Sequence, residues 1–281
     1  MPVTIDKLVD ALATNSTRLV IDRANISGQT AGAYCSLWRG TGQPAQGAIP
    51  GTTAATCNEA TTGGFPVPQQ TSPVKSYLGY LEWACSNSAQ TLELHDRLAH
   101  MGGLVGNTGS PQTVDVDLNA LGSTDNITYR IGDADYSDVQ WWLEWYTATG
   151  STAVTATVNV TYSDGSTGNL SNVSLAATRP ASHLINLNVY RPAAVSLCIR
   201  EVNTVTLSAT TGTAGNFGVT ATRLRGAVFS PLANTKASAS WADLPIGEIP
   251  QKACPALIML CSTTSTGTVR GGGKIAHLDP T

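Results

Sequence analysis

The chain has 281 residues, of which 42% are hydrophobic and only 12% charged, with a formal net charge of −3. This length allows a sizeable buried core, and the small negative charge leaves no basic face for nucleic acid. The charged fraction is about half of that usual in soluble domains, which favours a protein whose surface packs against neighbouring subunits.

The N-terminal residues show no basic stretch followed by an apolar run, and no segment has the roughly 18 apolar residues that a membrane span needs. We therefore expect a protein made in the cytoplasm, without an export signal and without a membrane partner. The six cysteines are scattered and none has Cys-x-x-Cys spacing, which predicts reduced, mostly buried thiols rather than disulfides or a zinc site.

A short amphipathic helix is predicted at the N-terminus. Its apolar positions follow the spacing i, i+3, i+4, i+7, and Thr4 precedes them as a possible N-cap. These positions are Ile5, Leu8, Val9 and Leu12. Short strands are predicted near residues 19–21 and 34–38, so that residues 1–39 form a region of one helix and short strands. The helix needs a surface on which to dock.

Residues 40–73 are rich in Gly, Pro, Thr and Gln and have almost no charge. A segment of this length without periodic structure is uncommon inside a compact domain and is usually a linker, a functional loop or an extended arm. We expect an extended arm laid on a neighbouring surface; a disordered linker is the alternative.

A pair of helices is predicted within residues 74–111. Residues 73–84 begin with a proline in the first turn, and residues 88–101 end before a glycine pair. Each has an apolar stripe, formed by Val74, Tyr77, Leu78 and Leu81 in the first and by Leu94, Leu98 and Met101 in the second.

From residue 112 the hydrophobic period changes to two, which predicts a β-sandwich domain over residues 112–230. The alternation is clearest at 139–146 and 154–162, which we expect to pair as neighbouring strands, with a turn at 163–166. Further strands are predicted at 185–190, 195–199, 202–209 and 217–229. The fold class is therefore mainly β, an antiparallel β-sandwich or jelly roll with an N-terminal helical and extended-arm region.

The strand at 139–146 contains alternating aromatic residues. Trp141, Leu143 and Trp145 are expected to face the core, which places Trp142, Glu144 and Tyr146 on the opposite face. That outward set has two interpretations: a glycan-stacking or subunit-contact platform, or side chains covered by another layer. Cover by other parts of the same assembly is the preferred interpretation.

Residues 231–281 contain three prolines in their first part and are predicted to form an irregular tail with closing strands at 256–261 and 274–278. The sequence Gly-Gly-Gly-Lys at 271–274 lacks the remaining Walker residues and is interpreted as a turn into a strand.

No motif in the chain predicts a catalytic, cofactor or metal site. His95 and His100 are five residues apart, too far for a metal pair on one helical face, and are expected on an exposed helix edge with Arg97. The carboxylates of Asp133, Asp135 and Asp138 lack the glycine and distal glutamate of a calcium loop, and are interpreted as solvated turn residues. We therefore expect a protein that is not an enzyme.

Over most of its length the chain resembles structural proteins of tailed-bacteriophage virions, particularly capsid decoration or head proteins. The resemblance is carried by TAGAYCSLWR at residues 30–39, LELHDRLAHMGGL at residues 92–104 and the β domain that follows. It implies a cement protein of the virion capsid, made in the host cytoplasm, whose partners are the phage major capsid protein and neighbouring copies of itself. By the same analogy we expect a homotrimer that docks on the shell through the helix of Ile5, Leu8, Val9 and Leu12 and through the arm.

Two alternatives stay open. One is a carbohydrate-binding tail, fibre or spike module that uses Trp142 and Tyr146 to stack on sugars. The other is a tail-tube subunit, which would assemble into rings or tubes without capsids.

Overall fold

The computed structural model describes residues 4–244 and 247–281, which are mainly β. All registered strand pairs are antiparallel, which confirms the predicted fold class. The helices are α1 (Ile5–Thr14) and α2 (Ile127–Arg130), with short 3-10 helices at Leu37–Arg39 and Asn188–Tyr190. The strands are β1 (Ser16–Arg23), β2 (Tyr34–Ser36), β3 (Gly42–Gln43), β4 (Ala55–Thr56), β5 (Lys75–Cys85), β6 (Gln90–Leu104), β7 (Gln112–Asp117), β8 (Val139–Thr147), β9 (Val154–Tyr162), β10 (Thr167–Leu175), β11 (His183–Asn186), β12 (Ile199–Leu207), β13 (Asn216–Ser230), β14 (Ala237–Ser240), β15 (Glu248–Ile249), β16 (Pro255–Leu260) and β17 (Val269–Leu278).

The chain divides into two compact units. Unit 1 contains the described residues of Met1–Ala48, Asn58–Asp96 and Leu224–Thr281, and unit 2 contains Ile49–Cys57 and Arg97–Arg223. This division differs from the predicted boundaries near residues 39, 73, 111 and 230, because segments from both ends of the chain fold together in unit 1.

Unit 2 is a β-sandwich. One layer has the strand order β10-β9-β12-β7, and the other contains β11, β8 and residues 216–223 of β13. Alternating side chains from both layers meet in one core, as the period-two pattern predicts. Its largest members include Trp141, Leu143, Trp145, Val158, Val160, Val202, Val205 and Phe217.

The prediction that the strands at 139–146 and 154–162 pair with each other is wrong. β8 pairs with β11 and β13, whereas β9 pairs with β10 and β12. The predicted turn at 163–166 is confirmed and joins β9 to β10, with Gly165 in the left-handed region at φ 89°. The two strands share a hydrophobic core because they face it from opposite layers, a relation that alternation alone does not distinguish from pairing.

Unit 1 is built from two sheets and one helix. A six-stranded sheet has the order β14-β5-β17-β1-β3, with β15 also paired to β5. β16 pairs with β2 on one side and with residues 91–96 of β6 on the other. Both sheets contribute to one core, which includes Leu19, Ile21, Cys35, Leu81, Trp83, Leu92, Leu94, Leu257, Met259, Val269 and Ile275.

The predicted helical pair within residues 74–111 is wrong, because this region forms the long strands β5 and β6. The apolar residues fit two periods at once: Leu81, Trp83 and Cys85 alternate as a strand requires and are all buried. The strand conformation prevails because β17 pairs along β5 and β16 pairs with β6, and both partners come from the far end of the chain.

The closing strands predicted at 256–261 and 274–278 are confirmed as β16 and β17. The rest of region 231–281 is not an irregular tail, since it also supplies β14 and β15. β17 lies in the middle of its sheet, between β5 and β1, and contains the three glycines at 271–273 that were predicted to form a turn. A Cβ atom on Gly271 would lie 2.2 Å from the Glu82 carbonyl oxygen, and one on Gly272 would lie 2.6 Å from that of Leu19. The glycines therefore permit close approach of neighbouring strands.

The predicted extended arm at 40–73 is folded onto its own chain. In unit 1 the indole of Trp38 donates to the Ala48 carbonyl at 2.9 Å, and a Cβ on Gly47 would lie 2.2 Å from that ring. Phe65 and Val67 are buried in the unit 1 core. In unit 2 the Cys57 amide donates to Leu98. These apolar side chains are buried and these backbone groups are hydrogen-bonded within the same chain. The prediction of an extended arm at 40–73 is therefore wrong.

Candidate functional site

The predicted outward set of β8 is buried. Trp142, Glu144 and Tyr146 expose 1%, 0% and 3% of their surface, so none of them is available to stack on a glycan or to contact another subunit. The prediction of a contact platform is therefore wrong. Both faces of β8 are covered. This agrees with the second interpretation of Trp142, Glu144 and Tyr146, in which another layer covers these side chains.

Glu144 and Tyr146 belong to a buried polar cluster in unit 2. Arg97 Nη2 lies 2.7 Å from Glu144 Oε2, and the same nitrogen donates to the hydroxyls of Tyr146 at 3.2 Å and Thr220 at 3.0 Å. Thr220 donates onward to Glu144 at 2.5 Å, and Tyr146 donates to Glu144 at 3.2 Å. Arg97 Nε donates to His100 Nδ1 at 3.0 Å. The hydroxyls and the ion pair together form one network.

The electrostatics of the cluster follow from its burial. Burial alone would lower the pKa of Arg97, but the neighbouring Glu144 carboxylate outweighs it and the net shift is upward. Burial, reinforced by the charge of Glu144, raises the pKa of Tyr146. Arg97 is therefore charged and Tyr146 is neutral at neutral pH, which is the protonation state that stabilises a structural ion pair.

The N-terminal helix separates its predicted docking residues into two groups. Leu8 and Leu12 pack with Ala11, Tyr77 and residues of β17 in a small core of unit 1, while Ile5 and Val9 are 53% and 48% exposed. The Thr4 hydroxyl caps the helix by accepting from the Lys7 amide. Only Ile5 and Val9 of the predicted set are therefore available to a partner.

The histidines are engaged in hydrogen bonds inside their units. His95 and His100 lie on the buried strand β6 and not on an exposed helix edge, which corrects their predicted position. In unit 1, His277 Nδ1 lies 2.9 Å from Ser76 Oγ, and its Nε2 lies 2.7 Å from Thr17 Oγ1. With hydroxyls on both ring nitrogens, His277 has no carboxylate to orient it as a general base, and this arrangement is typical of a structural histidine.

The acidic residues before β8 form local contacts. Asp138 pairs with Arg223 at 2.5 Å, and Asp135 accepts from the Ser137 amide at 2.9 Å. Across residues 4–244 and 247–281, no group of three or more His, Cys, Asp or Glu side chains is arranged to hold a metal ion. None of the six cysteines forms a disulfide, and Cys198 is the one that is not fully buried.

Two further buried arginines, which the sequence does not predict, bind backbone carbonyl groups. Arg23 in unit 1 donates to the carbonyl oxygens of Gly40 at 2.6 Å and Gly63 at 3.4 Å, and burial lowers its pKa to about 10. Arg130 in unit 2 donates to the Cys57 carbonyl at 2.7 Å. Both attach parts of the segment 40–73 to their own units. No sequence signal identifies them, because their acceptors are backbone carbonyls.

Among the residues that the structure describes, no helix is long and apolar enough to cross a membrane. No family model and no curated protein matches the sequence.

Solved structures give weak similarities only. One is the structure of infectious bursal disease virus, Gt strain, with 11% identity, a TM-score of 0.19, and coverage of 94% of this chain and 81% of the other. Another is the VP2 subviral particle of infectious bursal disease virus, with 11% identity, a TM-score of 0.18, and coverage of 95% of this chain and 81% of the other. At these scores the similarity does not establish a shared fold.

Proposed function

We propose that the protein is a structural component of a virus particle, of the capsid decoration type found on tailed bacteriophages. The observation that carries the proposal is that the candidate polar side chains form structural hydrogen bonds. The groups that might have served chemistry or glycan binding, Glu144, Tyr146 and His277 among them, are buried in structural hydrogen bonds. The low charged fraction of the chain and its resemblance to phage virion proteins support the same role.

The proposed contact with the shell is the exposed side of α1. Ile5 and Val9 are one helical turn apart, so they lie on one face. Completing the burial of two such side chains contributes roughly 1 kcal/mol each, about a 30-fold change in affinity for the pair. In the proposed homotrimer, three linked copies would combine these contributions through multivalent binding. The segment 40–73 has no part in this contact, since it packs on its own chain.

The test is co-sedimentation of the purified protein with phage heads that lack it. Wild type is expected to sediment with the heads, and an Ile5→Ser, Val9→Ser variant is expected to bind at least tenfold more weakly. The matched control is Val189→Ser, which changes a 73% exposed side chain in unit 2 and should bind as wild type does. Thermal melts check that all three chains are folded.

Each other result contradicts part of the proposal. Equal binding by the α1 variant excludes this helix as the contact. If wild type does not bind heads, the decoration role is wrong, and rings or tubes formed by the protein alone would indicate a tail-tube subunit. Sedimentation velocity of the free protein tests the proposed homotrimer.

A further inference from the structure

Two basic side chains touch each other inside unit 2. Arg179 Nη1 lies 2.7 Å from Nε2 of His183, which is the first residue of β11 and only 2% exposed. Because a guanidinium can only donate, the imidazole must accept at Nε2 and carry its single proton on Nδ1. A second proton on His183 would remove the acceptor and place two positive charges in contact.

Among the described residues, none supplies a negative charge close enough to His183 to offset that second proton. The ring of Trp145 meets the His183 ring edge-on, with centroids 6.0 Å apart. Glu144 on the paired strand β8 lies opposite Leu184, so its side chain points to the other face, where it binds Arg97. Tyr190 is the remaining titratable group near Arg179, and its hydroxyl accepts from the Ser174 amide. Burial and the charge of Arg179 together lower the pKa of His183 to about 3.

The segment that contains Arg179 is weakly held. Residues 176–182 join β10 to β11, and none of residues 176–181 is buried. Its attachments are mainly hydrogen bonds, such as Thr178 N to Gly150 O at 2.9 Å and Arg179 Nη2 to Ser174 O at 3.2 Å. Ser182, at the end of the segment, is buried, and its amide donates to the Trp145 carbonyl at 2.6 Å. Thr178 and Ser182 have φ values of 54° and 69°, a left-handed conformation that is unfavourable for residues other than glycine. Little apolar burial therefore opposes its release.

We propose that residues 176–182 form an acid-released latch, in which protonation of His183 breaks its contact with Arg179 and frees the segment while the sandwich stays folded. The open state includes release of the His183 ring from its buried position at the start of β11, so that this histidine titrates near its ordinary pKa of about 6.5. In the closed state it stays neutral down to about pH 3. Between these values the open state binds one more proton, so opening becomes about tenfold more favourable for each pH unit of acidification.

The experiment is hydrogen exchange of the full chain between pH 6.5 and 4.5, with rates corrected for the intrinsic pH dependence of exchange. In wild type, opening across residues 176–184 is expected to increase roughly 50-fold, while peptides from β9 keep their protection. His183→Gln keeps an acceptor for Arg179 but cannot gain a charge, so its opening should not depend on pH. His277→Gln, which changes a histidine of unit 1, is the control and should respond as wild type does.

The latch is excluded if His183→Gln retains the wild-type pH response, or if the segment in wild type opens only together with the whole of unit 2. Should His183→Gln fail to fold, Arg179→Met decides the question. That variant lacks the repelling cation, so its response to acid must be smaller than that of wild type. An unchanged response there would also overturn the proposal.

Discussion

Replacing Arg97 with methionine is expected to lower the free energy of unfolding by about 3 to 5 kcal/mol. Methionine fills much of the same space, but it leaves the carboxylate of Glu144, which is fully buried, without its cation. Removing one partner of a buried ion pair is more damaging than removing both, because a lone charge retains its desolvation penalty. Urea denaturation followed by tryptophan fluorescence measures the loss.

A double-mutant cycle provides the control for this prediction. Glu144→Leu combined with Arg97→Met should be less destabilising than the sum of the two single changes by about 2 kcal/mol, since neither charge is then left alone. Simple additivity would show that the pair contributes no coupling and that Thr220 and Tyr146 satisfy each group independently. The far-ultraviolet spectrum of the double variant checks that the sandwich is retained.

The strands of the unit 2 sandwich could be predicted because their signal is local. Trp141, Leu143 and Trp145 alternate with their neighbours along one strand, and every second residue faces the core whichever strand lies alongside. Pairing is different, because it depends on residues far away in the sequence. For this reason the sequence predicts the strands β8 and β9 correctly, whereas the prediction that they pair with each other is wrong.

The helical prediction failed for the same physical reason. β5 and β6 carry apolar residues that fit both a helical stripe and an alternating strand, and a single sequence offers no local means of choosing. Lys75 pairs with Leu278, some two hundred residues later, so the hydrogen bonds that stabilise β5 come from the last strand of the chain. The sequence alone does not distinguish the glycines of β17 from a turn, because the close approach of strands on both sides is equally non-local.

The candidate site shows a second limit. Trp142 and Tyr146 alternate with core residues, which correctly places them on the other face of β8, but alternation does not reveal whether that face is covered. The separation of α1 into exposed Ile5 and Val9 and buried Leu8 and Leu12 likewise depends on the sheet beneath the helix. Burial is a property of the assembled units, so a contact surface was the least predictable feature of the sequence.

Replacing Arg130 is expected to remove several hydrogen bonds to the backbone at once. Its guanidinium is fully buried and donates to three carbonyl oxygens, those of Cys57 at 2.7 Å, Asp125 at 3.1 Å and Arg97 at 2.9 Å. Arg130→Met keeps the apolar stem but removes these donors, and each buried carbonyl left without one costs about 1 kcal/mol or more. We therefore expect a loss of about 3 kcal/mol in the free energy of unfolding.

The loss of stability in Arg130→Met should be greatest near the hydrogen bonds that are removed. Amide exchange at residues 55–57 and 97–99 should accelerate in Arg130→Met. β4 is a two-residue strand that is in register with β6 at Ala55 and Thr56, and the Arg130 bond to the Cys57 carbonyl adds to the bond from the Cys57 amide to Leu98. Arg270→Met is the matched control: that side chain is mostly exposed and forms a surface ion pair with Asp22, so its removal should change stability by less than about 0.5 kcal/mol. If the two variants proved equally stable, the Arg130 carbonyl contacts would be replaceable by water, and the burial of this arginine would not be what holds residues 49–57 to unit 2.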